Sequence, residues 1–360
     1  MLRSRVLSAG QRYFCRRRGL NLTPRLFCTA ADKPSIPSAE QLNYRLATVE
    51  DFGQILHLSR GLFDGVDPFP YFFHEYQVDK NAAVFVAEHE GKLVGAYTAV
   101  MAGDQTAMIN KHLRIDPDYR GRNIMWHLDE HLDRYMKYRH PTVTLKQRML
   151  LSNWDNPNPI FQKFPKERMK KIYNVHYLFF SKPEGMPMPV DRKHFKGQIF
   201  SLQPCTQDTA ARLSDDDLRQ LLHKDYGQVS MHPYNMCRTD SLQLRTAGLR
   251  YIAIGRNEPA GVSLCSRWSA SAGLVYHIDL HAADHTSLEH HVAHHVEQIC
   301  IFHAKEKVYL LFSAPETFDR DKIMKFCEST LGLPRSDRFP FDCGVICEMG
   351  LHPSLRFAEF

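Results

Sequence analysis

The chain has 360 residues, 24% of them charged, and a formal net charge of +6. Seven of its arginines lie before Asp32 with no acidic residue among them, so subtracting them leaves −1 for residues 32–360. The overall charge of these residues therefore gives no reason to expect binding to RNA or to an anionic membrane, and no stretch approaches the ~20 apolar residues of a membrane helix. The length suits about two domains.

The first 35 residues have the composition of a mitochondrial transit peptide. They are rich in Arg, contain scattered Ser, Thr and Leu, and have no acidic residue before Asp32. In a helix, Leu2, Val6 and Leu7 share a face away from Arg5 and Arg12. We expect import by the mitochondrial machinery and residence in the matrix. The alternative is a basic tail on a cytoplasmic protein.

The nine cysteines fit a reducing compartment. They are scattered, with none of the short-spaced pairs of zinc sites and no small disulfide framework. We expect most of them to be small buried residues.

Residues 42–180 show the pattern of a first folded unit. A short strand at 44–46 precedes a helix that is capped by Thr48 and runs through Leu58; 61–76 reads as a loop. A hairpin of strands 83–88 and 93–101, extended by a strand at 106–115, forms a meander. A helix over 121–138 and strands at 143–150 and 172–180 complete a mixed sheet flanked by helices, an α/β (α+β) fold.

The junction from Leu113 to Met125 is a strand end, a basic turn and a helix start. Such a junction points free backbone N–H groups and the positive end of a helix dipole at one place, which predicts an anion site. The anion that it suggests is a pyrophosphate. A plain surface turn is the alternative.

The second half repeats the order of the first. A proline-rich linker at 181–197 separates the units, and strands at 251–254, 261–266 and 274–280 precede a helix over 286–303. A strand at 308–312 and a helix over 319–331 follow. The junction at 282–287 has neither Gly nor Arg, so we interpret 198–360 as a degenerate copy that supports the first unit.

Four histidines on the 286–303 helix suggest a metal site. His290 and His294, and His291 and His295, have i, i+4 spacing, but the order His-Glu-x-x-His is missing. On a helix, His295 borders the apolar stripe, and His290 and His294 lie opposite it near Glu297. We therefore expect a solvated polar face and no metal.

The first unit resembles the GCN5-related N-acetyltransferase (GNAT) superfamily. Its turn, residues 120–125, fits the pattern Arg/Gln-x-x-Gly-x-Gly/Ala at Arg120 but has Asn123 and Met125 at the small positions. Within the superfamily, the chain resembles the histidine N-acetyltransferases (the probable N-acetyltransferase 16 group). That likeness is carried by Leu113-Arg114-Ile115 and by a loop containing Ser59, Gly61, Leu62, Phe63, Gly65, Asp67, Pro70, His74 and Tyr76.

The resemblance implies a GNAT-like acyl-CoA acyltransferase fold followed by a second, degenerate GNAT-like lobe, and direct transfer from acetyl-CoA to an amine. Pantetheine would pair with the backbone of Leu113 and Ile115. The pyrophosphate would lie against Arg120, Gly121, Arg122, Asn123, Ile124 and Met125. Catalysis then consists largely of positioning, which contributes roughly 7 to 11 kcal/mol when the geometry is ideal.

The resemblance also directs attention to proton transfer. The related histidine enzymes carry Glu-Gly where this chain has Lys111 and His112, and His112 is a candidate base by its ordinary pKa. Many members of the superfamily protonate the departing thiolate with a Tyr on the helix after the fifth strand. The helix at 158–164 carries Phe161 at that place, which leaves Tyr173 as a candidate for this acid. The alternatives are a His that faces a neighbouring strand and an aromatic residue that packs on the sheet.

The loop from Asp64 to His74 is the candidate acceptor site. Asp67 offers a carboxylate to an ammonium group, His74 a polar contact, and Tyr71 an aromatic wall. A small amine, possibly the α-amine of histidine, suits such a loop, although it could equally be a cover on the core. The alternative function is a non-catalytic GNAT-fold protein that senses a ligand or binds another protein.

Overall fold

A computed structural model describes residues 37–151, 169–186, 200–204, 220–238, 244–245, 247–255 and 261–351. The predicted transit peptide, the 158–164 helix with Phe161 and most of the 181–197 linker lie outside these residues.

The first half forms six strands and three helices within the described ranges. The strands are β1 (Asn43–Leu46), β2 (Ala82–His89), β3 (Lys92–Met101), β4 (Ala107–Ile115), β5 (Leu145–Leu150) and β6 (Met169–Lys182). The helices are α1 (Phe52–Ser59), α2 (Phe69–Val78) and α3 (Ile124–Arg139).

The second half repeats this order and adds a hairpin. Its strands are β7 (Phe200–Pro204), β10 (Leu249–Gly255), β11 (Gly261–Ala270), β12 (Gly273–Ala282), β13 (Val308–Pro315) and β14 (Cys343–Gly350). The added hairpin is β8 (Tyr226–Val229) with β9 (His232–Asn235), and the helices are α4 (His285–Phe302) and α5 (Arg320–Lys325).

Twelve of the described strands form one mixed sheet in the order β1-β2-β3-β4-β5-β14-β6-β13-β12-β11-β10-β7. The order is symmetric about the β14–β6 pair. β14, from the second half, pairs with β5, and β6, from the first half, pairs with β13. Each half therefore completes its part of the sheet with the last strand of the other half, and neither half has a complete sheet alone.

The two halves differ where parallel strands meet. β4 and β5 pair at three positions, Ala107 to Ile109, and then separate. β12 and β13 stay paired over six positions, Leu274 to Asp279. A cleft between parallel strands therefore opens in the first half and not at the equivalent place in the second.

Apolar side chains fix α3 and α4 on the sheet. Leu128, Leu132 and Met136 of α3 are buried as the predicted stripe requires. Gly95 of β3 lies under α3, where an added Cβ would be 3.0 Å from Leu128 Cδ1.

No helix in the described part of the chain is long and apolar enough to span a membrane.

The structure corrects three sequence predictions. The 61–76 segment is not all loop, because α2 starts at Phe69 and buries Phe69, Phe72, Phe73 and Tyr76 at helical spacing. The 319–331 helix is divided into α5 and a π-helical turn over Phe326–Thr330.

The third correction concerns the histidines of α4. His295, expected at the border of the apolar stripe, and His291 are both buried, and each lies within hydrogen-bond distance of Ser263 Oγ, at 2.7 and 2.8 Å, so the solvated face does not extend to His291. Both imidazoles therefore point at Ser263 of β11.

Candidate active site

A bulge in β4 stands beside the cleft. The register with β3 shifts here, so that His112 and Leu113 together face the single residue Tyr97. His112 has a φ of 52°, a backbone conformation unusual for a residue with a side chain. Such conformations persist only where the surroundings impose them, and they concentrate at functional sites.

The turn before α3 has left-handed backbone geometry at two residues, although one of them is Asn and not Gly. Gly121 has a φ of 82° and Asn123 a φ of 64°. Asn is the residue that best replaces Gly in this conformation, since its short polar side chain reduces the steric penalty. The first turn of α3 therefore starts in the expected direction although Asn123 is not Gly.

The predicted anion-site residues lie together at this turn. Gly121 and Asn123 are exposed, Met125 is half-buried, and a Cβ added to Gly121 would meet nothing within 4 Å. Arg120 Nε donates to the carbonyl of Ile115 at 3.3 Å, which ties the turn to the end of β4. This surface has room for a phosphate group, and the start of the helix directs backbone N–H groups toward it.

A cavity of about 230 Å³ opens where β4 leaves β5. The first half lines it mainly with residues 110–114 of β4, 148–151 at the end of β5, and Met125. The second half contributes Met231, His232 and Phe341. The pocket is thus built from both halves, which sequence reasoning missed because these residues are far apart in the chain.

The β8–β9 hairpin brings its tip to this cavity in a tight turn. Ser230 and Met231 both have positive φ, 50° and 68°, without the Asn-Gly sequence that such turns favour. The second half holds them: the Ser230 N–H donates to Ser266 Oγ at 2.8 Å and the Met231 N–H to His277 Nδ1 at 3.3 Å. These buried contacts offset the backbone penalty of the turn.

His112 is enclosed by aromatic rings. Its Nε2 is 3.1 Å from Tyr76 Oη, and its ring stacks on Phe69 with centroids 4.9 Å apart. Burial, followed by the neighbouring His232, Arg114 and Lys111, lowers the pKa of His112 well below its usual range. His112 is therefore a neutral and weak base in this environment.

Lys111 is almost completely buried beside it. Its Nζ donates a hydrogen bond to Tyr234 Oη of β9 and lies 5.6 Å from the centre of the Tyr76 ring. Burial lowers the pKa of Lys111 to about 7. The sequence drew attention to Lys111 only because it stands where the related enzymes have Glu. Its burial depends on the hairpin, which is distant in the chain.

Two of the predicted acceptor residues line a different pocket. Asp67 and Tyr71 border a cavity of about 500 Å³ between the α1–α2 segment and the turn at Ser269–Ser271. Asp67 is buried and its carboxylate is bound by Arg114, whose Nε lies 2.9 Å from Oδ2. An ammonium group that bound Asp67 would have to compete with Arg114 for its carboxylate.

The remaining two predicted side chains lie away from the 230 Å³ cavity. His74 is exposed on α2, with its ring 4.4 Å from that of Phe52. Tyr173 is buried in β6, donates to the carbonyl of Tyr226 at 3.4 Å and is absent from the cavity lining that the structure describes. Neither is brought to the cleft.

A buried charge network supports the wall of the cavity. Asp129 of α3 accepts hydrogen bonds from Lys146 Nζ and from Arg148 Nη2, both at 2.8 Å, and Arg148 lines the cavity. Asp133 also contacts Lys146. The i, i+4 spacing of Asp129 and Asp133 places both carboxylates on one face of α3, a signal that the sequence offered.

Among the residues that the structure describes, no group of three His, Cys, Asp or Glu side chains is arranged to hold a metal ion.

Comparison with known proteins assigns both halves. Residues 50–146 match the acetyltransferase (GNAT) family, and residues 200–313 match the family described as histidine N-acetyltransferase, C-terminal. The histidine N-acetyltransferase of Oreochromis niloticus is 21% identical over 340 residues, 89% of this chain and 98% of that protein. The human probable N-acetyltransferase 16 is 21% identical over 238 residues, which cover 64% of this chain and 63% of that protein.

A solved structure shares the fold. A tandem GNAT protein from the clavulanic acid biosynthesis pathway superposes with a TM-score of 0.54, covering 87% of this chain and all of that one at 14% identity. Such identity speaks for the fold alone. The two family matches and the full-length relative show that the chain joins a GNAT-family acetyltransferase domain to a C-terminal domain of the histidine N-acetyltransferase type, so it is an acetyltransferase that acts on an amine.

Proposed function

We propose that the protein transfers an acetyl group from acetyl-CoA to the α-amine of a small free amino acid, with histidine as the first candidate. The separation of β4 from β5 carries this proposal, since it leaves backbone groups of β4 unpaired beside a cavity. The names of the relatives support the acceptor class.

The donor would lie along the cleft. Pantetheine would pair with the backbone of Leu113 and Ile115, whose carbonyls also accept hydrogen bonds from Arg114 Nη1 at 2.8 Å and Arg120 Nε at 3.3 Å. The pyrophosphate would lie against the turn from Arg120 to Met125, at the start of α3. The open surface at Gly121 and the left-handed Asn123 fit this role. Acetyl-CoA supplies an acetyl group activated as a thioester. The protein positions the two reactants and supplies hydrogen-bond donors.

The cavity lining favours an acceptor with a carboxylate. Arg114 and Arg148 line it, whereas no Asp or Glu does so among the described residues. The carboxylates that balance the two guanidinium groups, Asp67 and Asp129, are held in ion pairs outside the lining. An α-carboxylate would accept hydrogen bonds here, and a polyamine would meet like charge.

A thiol-release assay over free amino acids tests the acceptor. Histidine is expected to react at least ~10-fold faster, by kcat/KM, than histamine, which has the same ring and amine and lacks the carboxylate. Equal rates for the two would refute carboxylate recognition. Release only with a different amino acid would replace histidine while keeping the reaction class.

We further propose that residues 1–35 direct the protein to the mitochondrial matrix, on the composition of that segment. A reporter fused after residues 1–36 is expected to enter mitochondria, and the same fusion with its seven arginines changed to glutamine to remain outside. A reporter that stays cytoplasmic in both forms would favour the basic-tail alternative.

A further inference from the structure

We propose that Lys111 is the base that takes a proton from the acceptor's ammonium group, and that Tyr234 of the second half positions its amine. This inference rests on the proposed amine acetylation and names the residue that prepares the nucleophile. It replaces His112 in that role.

Lys111 belongs to the cavity wall that β4 provides. It lines the cavity on β4, next to the bulge where the strand leaves β5. Lys111 is 3% exposed, so its four-carbon stem cannot swing out to solvent as a surface lysine does. The amine is held between β4 and strand β9 of the hairpin.

Tyr234 fixes the direction of that amine. Its hydroxyl accepts one Nζ–H, and its ring lies 4.8 Å from Nζ. In the neutral amine, the nitrogen lone pair remains free for a proton from the acceptor. The contact joins residues 123 positions apart, so the second half contributes directly to the first half's chemistry.

The proton affinities favour Lys111 over the nearby imidazoles. A peptide-like α-ammonium has a pKa of about 7.7 to 8.0, and that of a free amino acid is higher, so the strongest of the neighbouring bases is favoured to accept its proton. Burial brings the pKa of Lys111 to about 7, while it takes those of His112 and His232 well below their usual range. The ionisable groups facing Lys111 from α2, β4 and β9 are Glu75, Tyr76, Asp79, His112, His232 and Tyr234.

The reaction balances with Lys111 as base. Lys111 Nζ accepts one proton from the ammonium, and the amine nitrogen regains its lone pair. That nitrogen bonds to the thioester carbonyl carbon, the carbon–sulfur bond breaks, and sulfur leaves with the electron pair. The second nitrogen proton passes to the thiolate, which gives the amide and CoA thiol, and Lys111 returns its proton to solvent.

The test is the pH profile of kcat/KM in Lys111→Met, Tyr234→Phe and His112→Gln, with acetyl-CoA affinity measured by calorimetry. The wild type is expected to gain activity as pH rises through about 7, because a protonated Lys111 cannot act as base. Lys111→Met should lose about 10²- to 10⁴-fold in kcat and this inflection, with acetyl-CoA affinity unchanged. The surface variant Lys305→Met should match the wild type.

The Tyr234 hydroxyl has a separate signature. Tyr234→Phe removes the acceptor that stabilises the ammonium form, so the inflection should move to lower pH while kcat falls. A purely structural role would leave the inflection in place.

Two results would overturn the proposal: Lys111→Met retaining kcat within about threefold, or the inflection disappearing in His112→Gln and persisting in Lys111→Met. Either leaves amine acetylation intact. If the wild type neither binds acetyl-CoA nor releases thiol with any amine, it is the proposed function that fails.

Discussion

Asp129→Asn is expected to lower the free energy of unfolding by about 3 kcal/mol, since it leaves two buried cations with fewer anionic partners. Asp129 accepts from Lys146 and Arg148, and the cation side chains are 3% and 4% exposed. The substitution keeps the shape of the side chain and removes only its charge. Urea unfolding followed by circular dichroism measures the change.

The neighbouring residue on α3 provides the control. Glu130 is exposed and pairs with Arg134 one turn along the helix. Glu130→Gln should change the unfolding free energy by less than about 0.5 kcal/mol. Equal losses in the two variants would show that the buried network contributes nothing particular.

The network should also have a pH signature. Burial, followed by the Asp129 charge, raises the pKa of Asp133 to about 7. The folded state therefore holds a proton that the unfolded chain releases near 3.8, so the stability that Asp133 contributes declines as pH rises from about 4 to 7. In Asp129→Asn this decline should weaken, because the adjacent charge is gone.

Asn123→Val is expected to weaken acetyl-CoA binding at least ~10-fold. The residue before α3 has a φ of 64°, which a β-branched side chain adopts only at a penalty of more than ~1 kcal/mol. Relief of that strain would turn the N–H groups of the turn away from a pyrophosphate. Calorimetry with acetyl-CoA measures the loss.

Asn123→Gly is the matched variant. Gly accepts the same φ and removes the side chain beside the ligand, so its affinity should equal or exceed that of the wild type. If Val and Gly bind acetyl-CoA alike, the turn does not hold the pyrophosphate. Thermal unfolding of both variants separates a binding effect from loss of α3.

Local patterns predicted most of the elements of both halves. Periodicity placed the β2–β3 hairpin, β4, α3 and the β11–β12 meander within a few residues of their observed bounds. The helix α2 was also predictable, since its apolar residues recur at i, i+3, i+4 and i+7 after a proline-rich start. The aromatic density of that segment obscured the period.

The active site depends on contacts that no local pattern carries. The exchange of β6 and β14 between the halves pairs strands that lie far apart in the sequence. The pairs Lys111 with Tyr234 and Asp67 with Arg114 join residues 123 and 47 positions apart. A single sequence reveals the residue types at such positions but not their partners.

Calorimetric titration of the full chain with acetyl-CoA tests the central claim most directly, because it counts the clefts that accept the donor. The separated β4 and β5 provide one such cleft, while β12 and β13 remain paired at the equivalent place. We expect saturable binding of one acetyl-CoA per chain, weakened in Asn123→Val. No binding at millimolar acetyl-CoA, or two equivalent sites per chain, would contradict it.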